Sequence, residues 1–224
     1  MLLRLPWRAR DRRLPVLPPE PVSREFGFER GRPVDRWYIE RFLAEHTADV
    51  HGRVLEVAED SYTKLYGGDA VSSSDVLFAA AGNADATIVG DLTTGAGIEA
   101  GAFDCFICTQ TLQFIPDAAA AVAGMRRLLA PGGVLLATMP GMSQISRVDD
   151  AAWGDWWRFT ARGVERLAAA AFGPENIEVR AHGNVMSAAA FLYGLAAEDL
   201  GDADLAREDP DYHLLVTLRA VRRN

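Results

Sequence analysis

The chain has 224 residues and a mass of 24.4 kDa, a length that one α/β domain fills around a sizeable core. Hydrophobic residues at 49% and charged residues at 24% are those of a globular chain, neither disordered nor membranous. A net charge of −8 argues against duplex nucleic acid as the main partner, because phosphate binding needs clustered cations.

The first apolar run, Met1 to Leu5, is broken by Arg4 and followed by Pro6. It is too short for a signal core or a membrane span. With two cysteines and no secretion signal, a reduced cytoplasm is the expected location. Residues 1–36 carry nine Arg against five acids, so +4, which leaves −12 for the rest. Six of the eleven prolines also fall there. Residues 1–30 therefore read as an extended basic arm with a polyproline bias, a loose tail or a strap over the core. Its cations also suit an anionic substrate or the acidic body of a second copy in a homodimer.

From residue 31 to 224 the pattern is that of a single domain alternating helix and strand. Val34 to His46 is a helix with Ile39, Phe42 and Leu43 on one face. Strands are expected at Arg53–Val57, from Ala70 to near Asp75, at Ala86–Gly90, at Phe103–Cys108 and at Gly133–Thr138. Helices are expected over Ala118–Leu129 and over Thr160–Phe172, the second opened by a Thr N-cap. Ile177–Arg180, a helix over Ser187–Leu200 and a strand over His213–Ala220 complete the set. This alternation implies a mostly parallel sheet covered by helices on both faces, and the last strand fits as an antiparallel insert. Cys105 and Cys108 sit three apart on a strand and so face opposite sides, which favours small buried residues over a metal site.

The stretch from Arg127 to Gly141, a helix end, then Pro131-Gly132-Gly133, then an apolar strand, resembles the fifth-strand region of class I S-adenosylmethionine (SAM) dependent methyltransferases, in particular those of type 11. Thr109 to Asp117 resembles the segment that follows their fourth strand, and Asp155-Trp156-Trp157-Arg158-Phe159-Thr160 a segment of one large subgroup. The resemblance implies a Rossmann-like fold of seven strands with an antiparallel final strand, and SAM as cofactor. It also fixes where the ligand lies, because open parallel sheets bind ligands beyond the carboxyl ends of their strands.

Glu56 stands at the family's acidic position after the first strand. Ala58, Asp60 and Tyr62 stand where the family has three glycines, a substantial departure, since a Cβ limits positive φ and fills space beside the cofactor. Glu59 or Tyr62 would then make contacts that backbone makes elsewhere. The resemblance further assigns Asp75 to the ribose hydroxyls, Asp91 to the adenine amine, the Leu92 N–H to the adenine ring, and Thr109 and Gln110 to the cofactor turn. Arg36 and Tyr38 could close over the cofactor's carboxylate. His182, after the sixth strand, is the candidate general base. Asp155, with Trp153 or Trp156, is the candidate wall of the acceptor pocket. The expected activity is methyl transfer to a hydroxyl of a small molecule, a glycan or secondary metabolite among them. The alternative is a methyltransferase fold that no longer methylates and serves as a binding or assembly partner, or that performs another reaction on a bound metabolite.

Overall fold

The computed structural model describes residues 18–223; the first part of the basic arm lies outside them. The elements follow in chain order: α1 (Val34–Glu45), β1 (Gly52–Val57), α2 (Ser61–Gly67), β2 (Val71–Phe78), β3 (Ile88–Val89), β4 (Phe103–Thr109) and α3 (Ala118–Leu128). Then come β5 (Leu129–Pro140), α4 (Arg147–Trp153), α5 (Ala161–Phe172), β6 (Ile177–His182), α6 (Val185–Leu192), α7 (Asp202–Leu205) and β7 (Leu215–Val221).

They form one sheet of seven strands in the order β3-β2-β1-β4-β5-β7-β6. All neighbours pair in parallel except β7, which is antiparallel to both β5 and β6. This is the Rossmann-like arrangement with an inserted antiparallel last strand that the sequence predicts. Strand order reverses between β1 and β4, and such a switch point opens a crevice at the carboxyl ends of the strands.

Alternation along β4 and β5 feeds two cores. Phe106, Cys108, Leu135 and Ala137 pack with Ala121, Met125 and Leu128 of α3 and Val164 and Ala168 of α5. Cys105, Ile107, Val134 and Leu136 face Ile39, Phe42 and Leu43 of α1 and Phe191 of α6. The two cysteines thus point to opposite faces, and burial pushes both thiols up, Cys108 to about 12. Helices start where side chains satisfy free N–H groups: Asp117 accepts from Ala120 N, and Thr160 from Gly163 N. Among the described residues no helix is long and apolar enough to cross a membrane.

The described part of the arm, residues 18–30, lies across α6. Val22 and Ser23 donate their N–H groups to the Tyr193 carbonyl at 2.8 and 3.2 Å, and Tyr193 Oη donates to the Pro18 carbonyl at 2.7 Å. Arg30 forms an ion pair with Asp199. Phe26 packs beside Phe191, ring centroids 5.9 Å apart, and so carries the arm to the mouth of the crevice.

Candidate active site

The turn after β1 sets the geometry. Ala58 adopts φ +71°, the left-handed region that usually needs glycine. It is held there from both sides, because its N–H donates to the Leu77 carbonyl and its carbonyl accepts from Asn83 Nδ2, each at 2.9 Å. Asp60 has φ −121° as the residue before α2, and Tyr62 lies within the helix. Of the three positions where the family has glycine, the first is the one whose backbone has positive φ.

Glu56 is 2% exposed and turns to the start of α2. Its Oε1 accepts from Tyr62 N at 3.2 Å, and its Oε2 from Thr63 N and Thr63 Oγ1, both at 2.7 Å. Burial pushes the carboxyl up from 4.5 to about 7, against the pull of those three donors. Tyr62 is buried behind the turn, and its Oη accepts from Arg36 Nη1 at 2.8 Å. The Arg36 guanidinium also lies 5.8 Å from the Tyr62 ring centroid and 6.0 Å from that of Phe28.

Two cavities open from this arrangement. The larger, about 520 Å³, lies beyond the ends of β1, β2, β3 and β4. Seven residues singled out in the sequence line it: Glu56, Ala58 and Glu59 after β1, Asp91 and Leu92 after β3, Thr109 and Gln110 at the end of β4. Arg36 lines it too. Gln110 has φ +48° and donates its N–H to the Thr138 carbonyl at 2.9 Å. Asp91 accepts from Thr93 N at 2.7 Å and Thr94 Oγ1 at 2.9 Å, and those bonds hold its carboxyl below the usual range. Leu92 is pinned by α3, since a Cβ on Gly124 would stand 1.7 Å from the Leu92 carbonyl oxygen.

Five expected residues are placed elsewhere. Asp75 lies within β2, which runs three residues past it to Phe78. There it pairs with Arg53 at 2.8 Å and accepts from Thr87 Oγ1 at 2.9 Å. The end of β2 offers Phe78 and Ala79 to the cavity instead of an acid. Tyr62 does not reach the cavity; it orients Arg36, which does. His182 ends β6 at the far edge of the sheet, in a groove beside Tyr38. Its ring nitrogens lie 2.8 Å from Glu208 Oε1 and 3.0 Å from Thr217 Oγ1. Tyr38 is likewise in that groove, donating to the Leu205 carbonyl at 2.8 Å. Asp155 touches the smaller cavity, but Arg158 clamps both of its oxygens, and Ser146 N donates to one at 3.1 Å. Burial raises the Asp155 carboxyl, yet the Arg158 bonds outweigh it and hold the group below the usual range. It locks the loop between β5 and α5.

The smaller cavity, about 160 Å³, lies under the arm and shares Arg36, Gln110, Phe114 and Asp149 with the larger one. Its walls include Asp35 and Gln113, two residues that sequence reasoning passed over. Asp35 was readable: it falls on the same side of α1 as Ile39 and Phe42, and an acid on an apolar helix face needs a reason. Trp153 stands over the larger cavity, edge-on to Phe78 with ring centroids 5.9 Å apart.

Residues 49–137 match a family described as a methyltransferase domain. No curated protein matches the chain. Among solved structures it resembles the Haemonchus contortus phosphoethanolamine N-methyltransferase 2 bound to phosphomonomethylethanolamine and S-adenosylhomocysteine, at TM-score 0.53 and 14% identity, covering 83% of this chain. The chain spans about half of that enzyme, 53%. It also resembles the [4+2]-cyclase SpnF, at TM-score 0.54 and 18% identity, covering 87% of this chain and 83% of the other. A third likeness is to a putative sarcosine dimethylglycine methyltransferase from Galdieria sulphuraria, at TM-score 0.53 and 15% identity, covering 85% and 90%.

Proposed function

We propose that this chain, which has the class I methyltransferase fold and carries the methyltransferase domain at residues 49–137, is a SAM-dependent enzyme that methylates a hydroxyl of a small molecule. The observation that carries this is the larger cavity, open at the switch point between β1 and β4 and bordered by acids at the ends of β1 and β3 and by the Arg36 cation from α1. Arg36, which has the Tyr62 hydroxyl but no carboxylate partner among the described residues, is set to receive the carboxylate of a methionine moiety. Glu59 suits its ammonium group. Asp91 and Leu92 suit the adenine. The ribose has no acid at the end of β2, so its hydroxyls would meet Phe78, Ala79 and the turn backbone. The residues fit both ends of the cofactor and differ in the middle.

When bound, SAM supplies an electrophilic methyl on a sulfonium. Arg36, Glu59, Asp91 and Leu92 would hold the cofactor so that its methyl could pass to an acceptor oxygen, whose proton would leave to solvent. The protein's part is positioning, and such placement can account for most of the acceleration. A strong base is not required, consistent with His182 and Asp155 both being engaged elsewhere.

The alternative, a fold that performs another reaction on a bound metabolite or serves as a binding partner, draws on Phe78 and Ala79 in place of a ribose acceptor. Calorimetric titration separates the two. SAM and S-adenosylhomocysteine should each saturate one site. Arg36→Leu should weaken both about tenfold or more, as for a lost charged hydrogen bond of about 1.5–3 kcal/mol, and should leave methylthioadenosine, which lacks the amino acid, unaffected. Absence of binding by either cofactor form in the wild type would exclude the methyltransferase reading.

A further inference from the structure

Two buried acceptors in the smaller cavity have no partner. Asp35, on α1, is 9% exposed and Gln113, after β4, is 5% exposed. Asp35 Oδ1 and Gln113 Oε1 each lack any hydrogen-bond donor. Gln113 Nε2, in contrast, is used, donating to the Gln110 carbonyl at 2.9 Å. Buried acceptors are nearly always paired, so two orphans lining one cavity point to donors that arrive from outside. Among the described residues no side chain supplies them, although Arg36 is the next residue along α1.

The remaining walls limit what can bring those donors. Phe26, Phe28, Phe114 and Phe191 give apolar surface of the kind that takes the flat side of a ring. The Arg36 guanidinium on the same wall disfavours a cation. Asp149 and Asp35 disfavour an anion. The Asp155 charge is compensated by Arg158. Burial raises the Asp35 carboxyl, which also favours a neutral partner able both to give and to accept hydrogen bonds.

We infer that the smaller cavity is the acceptor subsite and takes a neutral ring bearing at least two hydroxyl groups, which donate to Asp35 Oδ1 and Gln113 Oε1 while the ring lies against phenylalanine. The inference rests on the proposed methyl transfer for the word acceptor, and on the orphaned acceptors for the chemistry. Asp35 and Gln113 are specificity-determining residues here, not catalytic ones. The arm contributes Phe26 and Phe28, so the subsite is complete only with residues 18–30 in place. The cavity shares Arg36 and Gln110 with its larger neighbour, which sets a hydroxyl of the ring beside the methyl-donor site.

Saturation-transfer NMR on the full chain, with and without S-adenosylhomocysteine, tests this with four probes: methyl α-glucopyranoside, catechol, benzylamine and benzoate. The neutral hydroxylated probes should bind and the two charged rings should not, and which of the first two binds tells a sugar from a phenolic acceptor. Asp35→Leu and Gln113→Leu should each weaken that binding about tenfold and keep S-adenosylhomocysteine affinity, and Asp35→Leu should leave the melting temperature unchanged or higher, because it removes an unpaired buried acceptor, whereas Gln113→Leu also loses the Nε2 bond to the Gln110 carbonyl. A merely structural role would instead lower the melting temperature. Binding of benzylamine or benzoate alone, or of no probe by a protein that binds S-adenosylhomocysteine, overturns the inference and spares the methyltransferase reading. Binding of a hydroxylated probe by a protein that takes neither cofactor form keeps the subsite and overturns that reading.

Discussion

Glu56 should make this protein less stable at pH 8 than at pH 5, counter to the usual behaviour of a hydrogen-bonded carboxylate. Its carboxyl rises from 4.5 when unfolded to about 7 when folded. Below 4.5 it is protonated in both states and costs nothing. Between 4.5 and 7 the unfolded chain releases a proton that the folded protein holds, so stability falls as pH rises, and above 7 the loss is complete. At about 1.36 kcal/mol per pH unit, the loss approaches about 3 kcal/mol, an upper value because the three donors at the start of α2 relax toward the charged form.

Other groups titrate in the same window, so the informative quantity is a difference. Glu56→Gln removes the titration while keeping an acceptor for Thr63, and misplacing one donor against Tyr62 N is a penalty that does not depend on pH. Urea denaturation of both proteins from pH 4.5 to 8.5 should show the wild type losing ground to the variant by about 2–3 kcal/mol up to pH 7, then holding level. A difference that stays flat, or that favours the wild type increasingly as pH rises, would falsify the buried-neutral account of Glu56. A cationic ligand in the larger cavity should pull the group back down, so S-adenosylmethionine should bind more tightly as pH rises through the same interval.

Two backbone predictions accompany this one. Ala58→Gly relieves a left-handed residue worth about 1–2 kcal/mol, and about 0.4–1 kcal/mol is returned through the freer unfolded chain. Calorimetry should therefore show a melting temperature higher by about 2–4 °C, and a decrease would mean that the turn is not strained at this position. Gly124→Ala forces a Cβ against the Leu92 carbonyl oxygen. It should cost about 1–3 kcal/mol in urea denaturation and weaken cofactor binding through Leu92, with full stability as the contrary result.

The sequence made the sheet legible because its strands are apolar runs bounded by turn residues, and the Pro-Gly-Gly turn fixed their register. Most of the larger cavity followed from counting to strand ends. The failures have physical causes. β2 was expected to end near Asp75, the acid being read as the strand's last residue, whereas pairing with β1 from Gly52 to Val57 carries the strand on through Val76 and Leu77 to Phe78. That error of three residues moved the ribose acid out of the site. The short helices α2 and α4 have too few turns to show a period, and α2 is held by Glu56, a contact no spacing announces. The helix expected over residues 187–200 ends at Leu192, where Tyr193 and Gly194 turn the chain toward the arm. His182 was placed at the correct end of its strand but across the sheet from the crevice, because β7 inserts between β5 and β6 and pushes β6 to the rim.

The same topology leaves two open rims, and neither invites a foreign strand. β3 covers only Leu77 and Phe78 of β2, so among the described residues the earlier part of β2 has no strand partner on its outer side. There the chain sets short serines, an Arg53–Asp75 ion pair and Thr87, whose Oγ1 accepts the Val76 N–H at 2.9 Å and whose N–H donates to the Val76 carbonyl at 3.0 Å. On the opposite rim, β6 carries Glu178 and Arg180, and Arg180 pairs with both Glu178 and Glu45 of α1. Exposed strand edges are templates for fibrils, and charge, brevity and occupied donors are what blunt them. The protein can therefore hold a cavity open at one end of its sheet without offering its sides for intermolecular zippering.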